Sequence, residues 1–168
     1  MLAALRPEKN HELFLEGAQQ ILKQVPETRF LIIGDGPSHL KLETLTQDLG
    51  IAPAIHFLGS RSDIPEILQS LDVLTLTSYN EASPVSILEA LSCSVPVISA
   101  EVGSVPETIA HGKTGLLFAP GDTRSYADGV LELLENAEIC AQFGHQDREA
   151  VIEQRSLKSM IAGYKSLL

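Results

Sequence analysis

The stretch Ser78-Tyr79-Asn80-Glu81-Ala82-Ser83-Pro84-Val85-Ser86-Ile87-Leu88-Glu89-Ala90-Leu91 carries the residue types and spacing that could do chemistry. Ser83 reads as a helix N-cap and Pro84 as the first helical residue, since a hydroxyl acceptor and a preset φ favour those positions. Glu81 then lies in the loop ahead of the helix mouth. Glu89 lies about five residues inside, roughly 7–8 Å along the axis. Helical side chains lean toward the N-terminus, so Glu89 can point back to the same mouth. The unsatisfied N–H groups of Val85 and Ser86 lie between the carboxylates, at the positive end of the helix. Such a cradle suits an anionic diphosphate with hydroxyl-bearing groups on either side. On spacing alone a plainer reading stands beside it: Glu81 favouring the helix dipole, and Glu89 a solvated helix residue.

The elements that must position these groups alternate along the chain. Short apolar runs at residues 30–33, 55–58, 73–77, 95–99 and 115–118 read as strands, most of them closed by glycine-rich turns. Residues 2–5 resemble the end of another. Between them, apolar residues return at helical spacing: Leu13, Phe14, Ala18, Ile21, Leu22 and Val25, with Asn10 as N-cap, then residues 40–49, 64–71, 85–94, 125–134 and 157–168. Nearly continuous apolar strands separated by helices imply a parallel sheet covered on both faces. Right-handed crossovers make this a single α/β, doubly wound, Rossmann-like domain over residues 1–168, with ligands bound beyond the carboxyl ends of the strands.

With 168 residues the chain buries a core without staples, and its net charge of −10 argues against a nucleic-acid partner. Cys93 and Cys140 form no disulfide framework, and no secretory leader is visible, so the expected compartment is the cytoplasm. The five histidines make no metal-ligand spacing, so no metal site and no cofactor are expected. Gly34-Asp35-Gly36 reads as a structural turn, because His39 stands where a dinucleotide fingerprint has its third glycine. Ser83 and Ser86 form no G-x-S-x-G, and Cys93 reads as a small core residue.

Glu81-x7-Glu89 resembles the E-x7-E motif of retaining glycosyltransferases of the GT-B fold, in particular family 4, the group 1 transferases. Further segments are similar in order: Arg6-Pro7-Glu8-Lys9, Ile33-Gly34-Asp35-Gly36-Pro37, Phe57-Leu58-Gly59, Ser92-Cys93-Ser94-Val95-Pro96-Val97-Ile98-Ser99, Gly103-Ser104-Val105-Pro106-Glu107, and Gly112 to Asp122. The resemblance implies the C-terminal, donor-binding half of such an enzyme, with the N-terminal acceptor domain absent and peripheral membrane contact made through that half. It also implies a nucleoside diphosphate sugar as donor substrate. By that resemblance Lys9 sits on the diphosphate and Glu81 on sugar hydroxyls, these two being the catalytic pair. Glu89 takes the ribose diol, Ser60 and Arg61 border the nucleobase, and Ala82, Ser83, Val85 and Ser86 line the donor cradle. A stand-alone nucleotide-sugar-binding module and a UDP-sugar epimerase of the same fold are the alternatives.

The chain also departs from the family pattern. Ala4 stands where an arginine usually precedes the lysine by five residues, Ala82 where a glycine follows the first glutamate, and Cys93-Ser94 and Gly103-Ser104 replace Cys-Gly and Gly-Gly. If residues 2–6 are strand, Arg6 shares a face with Ala4 and supplies the second cation of a phosphate clamp.

Overall fold

The computed structural model describes residues 1–143, and within them strands and helices alternate as the apolar patterning requires. Strands β1 (Phe30–Ile33), β2 (Ile55–Gly59), β3 (Leu74–Leu76), β4 (Val97–Ala100) and β5 (Leu116–Phe118) are interleaved with helices α1 (His11–Leu22), α2 (His39–Asp48), α3 (Ile64–Gln69), α4 (Val85–Ser92) and α5 (Thr123–Glu135). Every pairing is parallel: β1 with β2, and β3-β4-β5 in that order. All four residues of β4 are buried, the expected state of a central strand covered on both faces. The helical stretch expected at 157–168 lies outside the described residues.

Residues 1–5 join the two sheets, but not as the strand expected there. Leu2 makes a single parallel bridge to Ile33, flanked by Ile33 N–H to Met1 O at 2.9 Å and Leu5 N–H to Asp35 O at 3.0 Å. Met1 Sδ in turn accepts from Thr77, just past β3, at 3.6 Å. Arg6 N–H then bonds back to Ala4 O at 2.9 Å, which bends the chain at Leu5. Strict alternation of side chains holds only in a regular extended strand. The expected shared face of Ala4 and Arg6 therefore loses its basis.

Gly34 and Gly36 let this first segment lie against the exit of β1. Gly34 has φ +135°, and a Cβ there would strike the Ala3 carbonyl oxygen; at Gly36 it would meet the Leu5 carbonyl oxygen. The Gly-Asp-Gly turn is thus a device of close backbone approach, as a structural turn should be.

Capping follows the expectation at α1, departs from it at α4, and adds an unforeseen cap at α5. Asn10, in the left-handed region at φ 49°, accepts Leu13 N–H at 3.4 Å through Oδ1 and starts α1. Asp122 starts α5 in the same way, accepting Ser125 N–H at 2.9 Å. At α4 the expected Ser83 cap is displaced by one residue. Pro84 has ψ 88°, outside the helical range, so it occupies the cap position itself, and no side chain closes the end.

The largest fully buried side chain is Tyr126 of α5, which packs against Phe118 at 5.4 Å and Phe14 at 6.4 Å between ring centroids. Gly17 of α1 lies directly under it: a Cβ there would penetrate the Tyr126 ring. Alanine gains about 1 kcal/mol of helix propensity over glycine. Overpacking a rigid core costs about 1–3 kcal/mol, and a buried ring has nowhere to go. Gly17→Ala is therefore expected to lower stability by up to about 2 kcal/mol net, read as a fall in the denaturant midpoint at unchanged slope. A variant as stable as the parent would show that the α1–α5 contact is loose.

Candidate functional site

Glu81 and Lys9 meet at the carboxyl ends of the strands. Lys9 ends the 3-10 helix Pro7–Lys9, and the left-handed turn at Asn10 redirects the chain into α1. Its ammonium lies 2.7 Å from Glu81 Oε1, with 24% of the lysine side chain and 8% of the glutamate exposed. Ser78 Oγ donates to the same oxygen at 2.6 Å. One carboxylate oxygen thus takes two donors, one of them charged.

The loop between β3 and α4 is held from both sides. Thr77 Oγ1 donates to Asn10 O at 2.8 Å, and Tyr79 N–H to Glu8 O at 2.9 Å. From the opposite side Ser104 N–H bonds Glu81 O at 3.0 Å, and Ser104 Oγ donates to Ala82 O at 2.8 Å. Gly103, at φ +51°, passes so close that a Cβ would collide with the Glu81 carbonyl oxygen. Glu81 therefore sits in a frame of backbone bonds instead of at a loose loop tip.

Glu89 lies half-buried on α4, and no hydrogen bond or ion pair reaches its carboxylate among the described residues. Burial pushes its pKa above the ordinary 4.5. The N–H groups of Val85 and Ser86 have no intrahelical acceptor at the start of α4, and Val85 is 59% exposed. An open, positively polarised helix end, with Glu89 further along the same helix and the Lys9–Glu81 pair on the loop leading into it, offers donors for a phosphate group and acceptors for hydroxyls. His11, next in sequence to this turn, is buried with both ring nitrogens unpartnered, and burial above all lowers its pKa to about 4. It is neutral at pH 7.

The remaining candidates lie further out. Arg6 has 63% of its side chain exposed, with Glu8 at 4.0 Å as its ion-pair partner. Arg61 forks onto Asp63, with Nε to Oδ1 at 2.8 Å and Nη2 to Oδ2 at 2.6 Å, on the exposed surface. Ser60, Ala82 and Ser83 are exposed, and Ser86 is half-buried. Among the described residues, no group of three or more His, Cys, Asp or Glu side chains is placed to share a metal ion. Ser78 and Ser104 were not among the sequence candidates. Ser104's place in the run Gly103-Ser104, where the resembling family carries a second glycine, was the available signal for one of them; nothing in the spacing marked the other.

Residues 1–150 match the family model for glycosyl transferases group 1, and the chain belongs to that family. It is 32% identical over 166 residues to the N-acetyl-alpha-D-glucosaminyl L-malate synthase of Bacillus anthracis, covering 99% of this chain and 43% of that protein. It is 31% identical to the N,N'-diacetylbacillosaminyl-diphospho-undecaprenol alpha-1,3-N-acetylgalactosaminyltransferase of Campylobacter jejuni, covering 94% of this chain and 43% of that protein. The chain thus spans less than half the length of these curated relatives. Among solved structures, HepE of Anabaena in complex with UDP-glucose superposes with a TM-score of 0.91 at 25% identity, over 99% of this chain and 48% of that one. A C-terminal domain of a group 1 family protein from Francisella tularensis shares the fold at a TM-score of 0.82 and 24% identity, over 90% of this chain and 82% of that one. The fold is the Rossmann-like half of a GT-B glycosyltransferase. No helix among the described residues is long and apolar enough to cross a membrane.

The unpartnered Glu89 makes a pH-dependent prediction. Its folded pKa lies above the unfolded value, so the folded state binds this proton more tightly. The charged form then costs stability above the folded pKa, and the cost vanishes once pH falls below the unfolded value. Glu89→Gln is expected to melt higher than the parent at pH 7 and at the same temperature near pH 4. Equal melting at both pH values would mean that the carboxylate is solvated after all.

Proposed function

We propose that this chain is the donor-binding, C-terminal half of a retaining glycosyltransferase, which moves a sugar from a nucleoside diphosphate to an acceptor hydroxyl with its anomeric configuration kept. The observation that carries this reading is the Lys9–Glu81 contact of 2.7 Å at the open mouth of α4. A cation and an acceptor side by side, next to free helix N–H groups, match a ligand that joins a diphosphate to a polyol. The nucleotide-bound structures of a similar protein, HepE with UDP-glucose, lend the ligand class.

In this reading Lys9 meets the phosphates when donor binds, with the Val85 and Ser86 N–H groups beside it. Charge collects on the diphosphate as the sugar–oxygen bond breaks, and an ammonium held in place stabilises that charge without reorganising. Arg6, exposed at the start of the turn that carries Lys9, is the second cation assigned to it. Neutralisation is thus assigned to side chains and backbone, and the reading calls for no metal cofactor. Glu81 accepts from sugar hydroxyls and Glu89 from the ribose diol, while Ala82 and Ser83 present backbone to the sugar side. Ser60 and Arg61 border the nucleobase, Arg61 with its flat face, since Asp63 already occupies two of its N–H donors. The acceptor site belongs to an N-terminal domain, the part that would also touch a membrane surface. A cytoplasmic placement fits the two free thiols, Cys93 and Cys140.

One half of a cleft buries little ligand and excludes little water. The chain alone is expected to bind a nucleoside diphosphate sugar with a dissociation constant near millimolar, about −4 to −5 kcal/mol, and to transfer nothing. A thermal-shift panel of UDP-, GDP- and ADP-sugars tests binding, and robust transfer to an added acceptor would overturn the assignment of the acceptor site. Glu89→Ala is expected to abolish nucleotide affinity with the fold intact, because a carboxylate bridging two hydroxyls makes bonds worth about 1.5–3 kcal/mol each. Titration calorimetry giving the same affinity for both proteins would remove Glu89 from the site.

A further inference from the structure

Lys9 has two claims on its ammonium under the donor-binding reading: Glu81 Oε1 before the ligand arrives, and the diphosphate afterwards. When Lys9 turns to the phosphates, Glu81 loses the one cation that reaches it among the described residues. The carboxylate must nevertheless stay where the sugar hydroxyls will find it. Ser78 is the remaining donor to that oxygen, at 2.6 Å, and the residue is completely buried.

We propose that Ser78 is a positioning residue that pins Glu81 Oε1 while Lys9 is engaged on phosphate, so that Oε2 stays open to the sugar. The hydroxyl is itself well fixed. It follows Thr77, whose Oγ1 donates to Asn10 O at 2.8 Å, and precedes Tyr79, whose N–H donates to Glu8 O at 2.9 Å. Both anchors belong to the turn that carries Lys9, so Ser78 and Lys9 approach Glu81 as parts of one stitched unit. No hydrogen bond among the described residues involves Oε2, which leaves its lone pairs for a ligand. A carboxylate oxygen readily accepts two donors, and losing one of them leaves the side chain free to take other rotamers.

The inference rests on the donor-site reading and makes a claim of its own: Ser78 matters for the sugar, not for the nucleotide. The test compares UDP with UDP-glucose by chemical-shift titration of the chain, in the parent, Ser78→Ala and Ser78→Cys. In the parent, UDP-glucose is expected to bind more tightly than UDP. In Ser78→Ala the UDP affinity stays within about twofold, whereas the gain from glucose falls about tenfold, the scale of a lost hydrogen bond to a charged group. Ser78→Cys, nearly isosteric and a weak donor, falls between the two, and it carries the test if the alanine variant does not fold. An undiminished glucose gain in both variants overturns the role of Ser78 and leaves the donor site standing. Equal loss of UDP and UDP-glucose affinity also overturns it, by pointing to a general structural part. Where the panel selects GDP or ADP, the same pair of ligands is used with that base, and a parent that binds no member of the panel sinks the donor-site reading itself.

Discussion

Glu81 Oε1 joins two stretches of chain 72 residues apart, and the rest of the architecture exists to make that contact possible. Lys9 reaches it only because residues 1–5 run parallel to β1 and leave the sheet at the edge where β3 ends. That route is narrow. Gly34 and Gly36 give the backbone room on one side, and Thr77 ties it to β3 on the other. Glu81 is in turn held by main-chain bonds from Ser104 and by the close pass of Gly103. Two flexible side chains meet with little search because the loops that carry them are already fixed. This is the condition for a site that binds without first ordering itself.

Such a contact is a poor device for stability. A pair with its glutamate 8% exposed loses much hydration, and well-packed apolar residues would often serve as well or better. Glu89 adds to the cost by lying half-buried with no partner. In a chain of net charge −10, cations are scarce, yet one ammonium is placed beside a carboxylate at a helix end open to solvent. Charged groups held in unfavourable surroundings, as Glu81 and Glu89 are, are a common mark of a functional site. The stability of the rest comes from elsewhere, from a largely aliphatic core and the rings of Phe14, Phe30, Phe118 and Tyr126 packed within it.

The strands were legible because parallel strands buried on both faces are nearly continuous in apolar residues, and β4 is apolar at all but Ser99 and buried throughout. The first segment was less so: its composition says strand, but whether it pairs depends on two glycines thirty residues away. The start of α4 shifted by one residue for a related reason. Ser-Pro is a good local helix opening, yet Glu81 and Ala82 are held through their carbonyls by Ser104, and the chain enters the helix only after Pro84. Lys9 and Glu81 could be picked out by type and order. Ser78 could not, because a serine becomes informative only when tertiary structure shows which oxygen it faces. Arg61 shows the opposite difficulty. A partner two residues away takes two of the donors that spacing alone would lend to a base.

The open mouth of α4 determines what this half can and cannot contribute. Tyr79 and Val85 are each 59% exposed beside it, and the Lys9 side chain keeps about a quarter of its surface in water. An interaction between unit charges at 4 Å is worth about 1 kcal/mol in water and about 4 at an effective dielectric of 20. Position alone therefore yields only part of what an ammonium can give to a departing diphosphate; the remainder requires that water be removed. This chain supplies the position, through loops stitched at Thr77, Tyr79 and Ser104. Lowering the dielectric takes a second wall over Tyr79 and Val85. The relatives, more than twice as long, have chain enough to build one. In the proposed reading, precision of placement and exclusion of water fall to different parts of the protein, and a rigid, well-formed site is a weak binder when it stands alone.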